Sequence, residues 1–359
     1  MYPLREFIAR LEDQGELLRV TEEVDWRFEI GDRTRNAQLH LKERPALLFE
    51  NIKDYPGQRV FVNGISTKAR MALALGLERE TSGRELGEIF RKRIKNRIVP
   101  VVKEIAAAAE NTMESEEVDL LAFPIPWWSP KDIGRYIGTW HLNITKDPED
   151  GSRNVGVYRM QLLDRRKTAI SISPRSHLGI HLGKAMQGGK PLEMATVIGA
   201  GEHFVMAAAS AAPYRVDEME IAGGLQESPV ELRKCKTVDL EVPASAEIVL
   251  EGHIPPRERV SEGPYLDYAG IPKSNPSAPV FNVGCVTYRD NAVFRGTAVG
   301  HPGGEDHELY ALLARANCVD FHGSRVRQMI QNLLLQYEFY ETFQLMGRLR
   351  QKWNARSGG

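Results

Sequence analysis

The stretch Tyr136–His181, YIGTWHLNITKDPEDGSRNVGVYRMQLLDRRKTAISISPRSHLGIH, carries the densest chemistry in the chain. After the polar turn Asp147–Arg153 come two strand-like runs, Val155–Leu163 and Thr168–Ser173. A two-residue period puts Asn154, Gly156, Tyr158 and Met160 on one face, and Val155, Val157, Arg159 and Gln161 on the other. An arginine in mid-strand among valines needs a carboxylate, phosphate or similar partner, because a buried guanidinium left unpaired is costly. Acids downstream offer themselves: Glu220 in DEMEIAGG, and Glu262 and Asp267 in SEGPYLD.

Upstream the texture is different. Helical periods at Pro3–Leu11, Ile30–Leu41, Lys68–Leu75 and Glu85–Ile94 alternate with strand-like Glu16–Val24, ALLFENI and Arg59–Val62, which predicts an α/β domain over residues 1–115. The proline-rich LLAFPIPWWSP, Leu120–Pro130, excludes a helix interior or a central strand and marks a boundary. Trp127 and Trp128 plug a core or line a pocket, and base rates favour core. Beyond them short strands dominate: Ile137–Thr145, the two runs above, Glu193–Gly199, Val238–Val242, Ile248–Ile254, Val280–Thr287 and Ala292–Ala298. Helices at His203–Ala211 and Val216–Ala222 interrupt them. The expected class is α+β, with a β-barrel or sandwich over residues 116–304 and a helical segment over 305–359. In that last segment Glu305–Ala316 and Ser324–Lys352 read as helices, the second with a broad apolar stripe.

Composition narrows the function classes. A 42% hydrophobic share supports a large core, and a formal net charge of −1 gives no general attraction to nucleic acid or anionic membrane. Cys235, Cys285 and Cys318 are few, odd in number and far apart, which disfavours a disulfide framework and fits a reducing cytoplasm. The charged N-terminus is no signal peptide, and no apolar run approaches the roughly 20 residues of a membrane span. There is no P-loop, no HExxH and no nucleophile elbow.

Two constellations remain, each with a plainer alternative. Asn154, His177 and Glu220 come from a strand start, a loop and a helix. If the fold joins them, an amide, an imidazole and a carboxylate suit Mn²⁺ or Mg²⁺ better than structural zinc. A lone histidine is more often a capped or surface residue. Arg159, Glu262 and Asp267 could form an acid–base network in which one carboxyl stays ionised and another carries a proton. The alternative is a salt bridge plus a turn aspartate. Gly199-Ala-Gly, Gly223-Gly and His301-Pro-Gly-Gly-Glu-Asp-His307 are weak signals on their own.

The run DPEDGSRNVGVYRMQL, the following SPRSHLGIH, the spacing of Ser210 to Glu220, EGPYLDYAG and GHPGGEDHEL together resemble the UbiD family of reversible decarboxylases, over roughly residues 1–317. The resemblance implies a split β-barrel that binds prenylated FMN, preceded by an α/β domain. It implies that Asn154, His177 and Glu220 hold a divalent metal, usually Mn²⁺, that bridges to the flavin phosphate, with K⁺ often nearby. Ser176, Ser210, Ala211 and Pro213 fall at cofactor-lining positions, and Arg159, Glu262 and Asp267 match the catalytic set. Arg159 then orients the substrate carboxylate, and Asp267 protonates carbon after CO₂ leaves. EGPYLD has Tyr-Leu where many relatives have Phe-Gly. The family's C-terminal α/β domain is expected to be missing or shortened here.

The expectation is a cytoplasmic, homo-oligomeric carboxy-lyase for an aromatic or α,β-unsaturated carboxylic acid, supplied with cofactor by a flavin prenyltransferase. Two rivals stand beside it. One is a non-catalytic or partner-dependent subunit of such a complex. The other is a flavin-free metal hydrolase using His177 and Glu220, which lacks a second histidine and has no use for Arg159.

Overall fold

The computed structural model describes residues 1–41, 43–103, 110–300 and 303–317. The predicted helix Ser324–Lys352 lies outside these residues, as do His301 and Pro302.

The α+β class is borne out. Leu4–Asp13 buries Leu4, Phe7, Ile8 and Leu11, the i, i+3, i+4, i+7 stripe of an amphipathic helix. Helices Glu29–His40, Lys68–Ala74 and Gly83–Lys95 follow, the last two capped by Thr67 and Ser82. They accompany a four-stranded sheet in which Leu17–Val20 runs parallel to Ala46–Phe49, which pairs antiparallel with Arg59–Val62. The fourth strand is Val293–Arg295, parallel to Arg59–Val62, so the chain returns to this sheet after completing the second one.

The second sheet is ten-stranded. Its main path runs Tyr136–Gly138, Met160–Leu162, Lys167–Ile170, Pro272–Tyr288, Ile248–Ile254, Leu192–Ile198, His141–Lys146 and Arg153–Gly156. Arg259–Leu266 and Asn111–Glu114 also pair with the long strand Pro272–Tyr288. Arg153–Gly156 ends one side of the path, while Met160–Leu162 sits next to its other end. Only residues 157–159 join them. A connection that short forces the sheet to curl until its ends meet, leaving a split barrel with Tyr158 and Arg159 in the seam.

The predicted single strand Val155–Leu163 is therefore two strands with a break. The side chains of one neighbouring strand hold the break open. Tyr158 donates its N–H to Asn143 Oδ1 at 3.1 Å, and its carbonyl lies 3.0 Å from His141 Nε2. His141 is buried, and burial pushes its pKa down to about 4, so the ring is neutral. Nε2 faces two oxygens, Asn143 Oδ1 and the Tyr158 carbonyl, and so carries the proton. The Tyr158 ring folds back into the space that a Cβ at Gly156 would fill, 2.5 Å away.

The two layers are locked together by buried polar contacts. Arg295 is fully buried between Glu202 at 2.8 Å and Glu305 at 2.5 Å. Glu305 also accepts the N–H groups of Asn63 and Ile65, both at 3.0 Å, fixing helix Glu305–Asn317 against the N-terminal sheet. Trp128 is core, with its indole N–H on the Tyr136 carbonyl at 3.1 Å. Its backbone runs against helix Glu29–His40, where a Cβ at Gly31 would come within 1.9 Å of the Trp128 carbonyl oxygen.

Gly31→Ala cannot be accommodated by a side-chain shift, because the obstacle is backbone. It should destabilise the protein by about 1–3 kcal/mol, the usual cost of overpacking, seen as a lowered thermal midpoint. An unchanged midpoint would contradict this packing.

Candidate active site

The seam opens into a cavity of ≈ 310 Å³. Arg159 and Asp267 both line it, with Tyr158 and Tyr265 on the barrel side and Leu309 and Tyr310 from helix Glu305–Asn317. Trp140, Thr297 and Asp306 complete much of the rest.

Arg159 is held from behind. Its Nε and Nη2 donate to the two oxygens of Glu262 at 2.9 and 2.7 Å, a bidentate pair that fixes the guanidinium plane. Glu262 is fully buried and also accepts the Tyr136 hydroxyl at 2.8 Å. Burial works against charge on Arg159, but the hydrogen bonds and charge of Glu262 outweigh it, and the pKa is raised. Burial and then the Glu262 charge hold the Tyr136 phenol well above its ordinary range, so it stays a donor. The site thus keeps a permanent cation on the cavity wall, aimed by an acid that does not itself line the cavity.

Asp267 sits at the end of strand Arg259–Leu266. Its Oδ1 accepts the N–H groups of Ala269 and Ile271 at 2.9 and 3.2 Å. Its Oδ2 lies 2.5 Å from Lys273 Nζ. The Lys273 carbonyl in turn accepts Arg159 Nη2 at 3.2 Å, so one residue touches both members of the set. The strand between the two acids is pinned at Gly263 N–H by Gln161 at 3.0 Å and at the Pro264 carbonyl by Ile133 N–H at 2.8 Å. Buried Asp132 accepts Leu266 N–H at 2.7 Å, and burial pushes its pKa up to about 6.

The second constellation assembles with one exchange. His177 is not on a loop. It opens helix His177–Gln187, capped by Ser176, whose Oγ accepts Gly179 N–H at 3.2 Å. Helix Glu218–Gln226 begins beside strand Arg153–Gly156, and Glu218 is the residue that faces it. Glu218 Oε2 accepts Val155 N–H at 2.7 Å, and Oε1 lies 3.8 Å from His177 Nδ1. Burial raises the Glu218 pKa, with His177 opposing the shift. Glu220, two residues on, is turned by about 200° around the helix. It is part-exposed and pairs with Arg97 at 3.3 Å instead. The geometry therefore corrects the expected trio to Asn154, His177 and Glu218.

Asn154 is buried beside them, and its Nδ2 has no hydrogen-bond partner. The two ends of such an amide can be exchanged by rotation, which would present Oδ1 inward. Amide oxygen, imidazole nitrogen and carboxylate oxygen form a donor set that fits a moderately hard divalent cation. Among the described residues no three of His, Cys, Asp and Glu converge on a possible ion, so the amide is needed as the third donor. The Tyr158 hydroxyl accepts the N–H of Leu178, the residue after His177, at 3.5 Å, and its ring lines the cavity, which places this trio next to the cavity.

Of the other expected cofactor residues, Ser210 turns its hydroxyl back to the Ala207 carbonyl at 2.7 Å. Ala211 takes a left-handed backbone conformation, φ +54°, and Pro213 is exposed. Their neighbour Ala209 lines the cavity. Tyr136, Lys273, Glu218 and Asp132 were not picked out by the sequence, and Asp306 only as part of the weak His301–His307 signal. Glu218 also had a signal, since D-E-M-E offers two acids of which helical geometry admits one.

Comparison with known proteins identifies the family. Residues 8–90 match the 3-octaprenyl-4-hydroxybenzoate carboxy-lyase N-terminal domain, and residues 100–302 match its Rift-related domain. A protein of Archaeoglobus fulgidus is 38% identical over 321 residues, covering 84% of this chain. The chain spans 65% of that relative's length. The closed form of the vanillic acid decarboxylase of Sedimentibacter hydroxybenzoicus superposes with a TM-score of 0.84 at 33% identity, covering 87% of this chain and 67% of that one. An evolved dimeric form of the UbiD-class enzyme HmfF from Pelotomaculum thermopropionicum, in complex with prFMN, gives 0.79 at 34% identity, covering 88% and 71%. The apo 3,4-dihydroxybenzoic acid decarboxylase of Enterobacter cloacae gives 0.81 at 28% identity, covering 89% and 69%. With its N-terminal and Rift-related domains matched in order, the chain belongs to the UbiD family.

Proposed function

We propose that this protein is a non-oxidative, reversible decarboxylase of an aromatic or α,β-unsaturated carboxylic acid, working with prenylated FMN and a divalent metal. The observation that carries the reading is the bidentate Arg159–Glu262 pair on the wall of the cavity that Asp267 also lines. Arg159 receives the substrate carboxylate. Glu262 keeps the guanidinium in plane, so the carboxylate is oriented without reorganisation during reaction. The apolar and aromatic wall excludes water from the carbon that loses CO₂. Asp267 then delivers a proton to that carbon. When bound, prenylated FMN supplies the electron sink that no side chain here can provide. Asn154, His177 and Glu218 would hold Mn²⁺ or Mg²⁺ and, through it, the flavin phosphate. The family relation and the flavin-bound HmfF structures support the cofactor.

A flavin prenyltransferase as cofactor supplier, a homo-oligomeric state and a cytoplasmic setting belong to the same proposal. Among the described residues no helix is long and apolar enough to cross a membrane.

Glu218→Gln should lower bound metal and bound flavin together, by about tenfold or more, while Glu220→Gln leaves both near wild type. Metal analysis and flavin absorbance on the purified variants check this, and the reverse pattern would restore Glu220. Asp267→Asn should keep its flavin but release CO₂ from vanillate, 3,4-dihydroxybenzoate or cinnamate about 10²–10⁴-fold more slowly than wild type. Unimpaired CO₂ release by that variant, or none from any such acid by the flavin-loaded wild type, would contradict the reading.

A further inference from the structure

The proline-rich stretch that divides the sequence runs directly into a turn beside the site. Ser129-Pro130-Lys131-Asp132 closes with Asp132 N–H on the Ser129 carbonyl at 3.0 Å, and proline suits the second position of such a turn. Packed structure anchors it. Trp128 is buried, with its indole N–H on the Tyr136 carbonyl at 3.1 Å, and its own carbonyl accepts Arg35 Nη2 at 2.8 Å. Trp127 Nε1 donates to the Asp132 carbonyl at 3.1 Å.

Two successive residues of this anchored turn grip the strand that leads to Asp267. Ile133 N–H donates to the Pro264 carbonyl at 2.8 Å, and Asp132 Oδ1 accepts Leu266 N–H at 2.7 Å. Leu266 is the residue before Asp267. On its other side the strand is held less evenly. Its pairing with Pro272–Tyr288 shifts register between Val260 and Glu262 and again between Glu262 and Tyr265. Opposite Leu266, at the end of the ladder, stands Pro272, which has no N–H to donate. The brace from Asp132 therefore acts where the ladder gives out. Asp132 is only 5% exposed, and its Oδ2 has no hydrogen-bond partner among the described residues. A buried carboxyl with an unsatisfied oxygen is a costly scaffold element, and such groups in native structures point to a use.

We propose that Asp132 is a positioning residue that sets the Asp267 carboxyl for proton transfer, acting through the Leu266 amide. The inference rests on the decarboxylase reading, in which Asp267 protonates the carbon that loses CO₂. Asp132 itself gives up no proton. Its part is alignment, and a displacement of about 1 Å at a reacting group can cost about 10²-fold in rate.

The test uses full-length protein co-produced with a flavin prenyltransferase, and whichever of vanillate, 3,4-dihydroxybenzoate and cinnamate the wild type converts. Two rates are read. One is CO₂ release. The other is exchange of the product's carbon-bound hydrogen with D₂O, which needs proton transfer but no CO₂. Asp132→Ala should lose about 10–100-fold in exchange and in kcat, with KM within a few-fold and flavin and metal content near wild type. Asp132→Asn keeps an oxygen that can accept Leu266 N–H, and should recover exchange to within about threefold of wild type. Exchange by Asp132→Ala at that recovered level would overturn the proposal. So would an Asp132→Asn variant as slow as Asp132→Ala, because the acceptor would then not be what matters. Loss of fold or of flavin in Asp132→Ala would make Asp132 a strut of the fold and overturn it as well. If the wild type converts none of the acids, the decarboxylase reading falls and this inference with it. If it converts one, the variants judge Asp132 alone.

Discussion

A three-residue connection between strands at opposite ends of one sheet is the constraint from which the site follows. Residues 157–159 must close the ring of strands, and they have no strand partner of their own. Backbone groups without a ladder need other partners when buried. His141 Nε2 and Asn143 Oδ1 provide them, and these contacts keep the gap from collapsing into continuous sheet. Arg159 leaves that gap with its side chain free to meet Glu262. A continuous strand from Val155 to Leu163 would have put it in the middle of a ladder.

The same economy places the residues proposed to hold the cofactor. Arg153–Gly156 is the last strand before the gap, and the starts of two helices abut it. His177 and Glu218 are each the first residue of a helix, where side chains project toward whatever the helix end faces. A buried carboxylate and a buried amide with few internal partners, beside the partly exposed His177 imidazole, are expensive without a ligand. The divalent cation proposed there would offset that cost, since it would reverse the local preference against a charged Glu218. Across the cavity, the Arg295–Glu202–Glu305 cluster performs the mechanical counterpart. It fixes the helix bearing Asp306, Leu309 and Tyr310 at a set distance from the seam.

Much of this was legible from the residues. The change from helical to strand texture near Leu120 precedes most strands of the ten-stranded sheet, and Ile248–Ile254 appears where alternation predicts it. An arginine among valines pointed to a buried acid, and Glu262 is that acid. The misses have physical causes. Alternation says which face a residue would take in a strand and cannot say that the strand stops, so Val155–Leu163 looked whole. Two glutamates in D-E-M-E looked equivalent until helix phase separated them. Strand Arg259–Leu266 contains Gly and Pro and lacks a clean period, yet it pairs along the long strand Pro272–Tyr288 and so carries Glu262, with Asp267 just past its end. Ala292–Ala298 reads as a strand and Val293–Arg295 within it is one, but nothing local says that it joins the N-terminal sheet rather than the barrel.

The central claim is that the seam holds prenylated FMN through a metal bound by Asn154, His177 and Glu218. Its most direct test is mass spectrometry and an absorption spectrum of the ligand released from protein co-produced with a flavin prenyltransferase, with metal content measured on the same sample. The account predicts prenylated FMN together with one equivalent of Mn²⁺ or Mg²⁺. Metal without flavin, or neither ligand in folded protein, would contradict it.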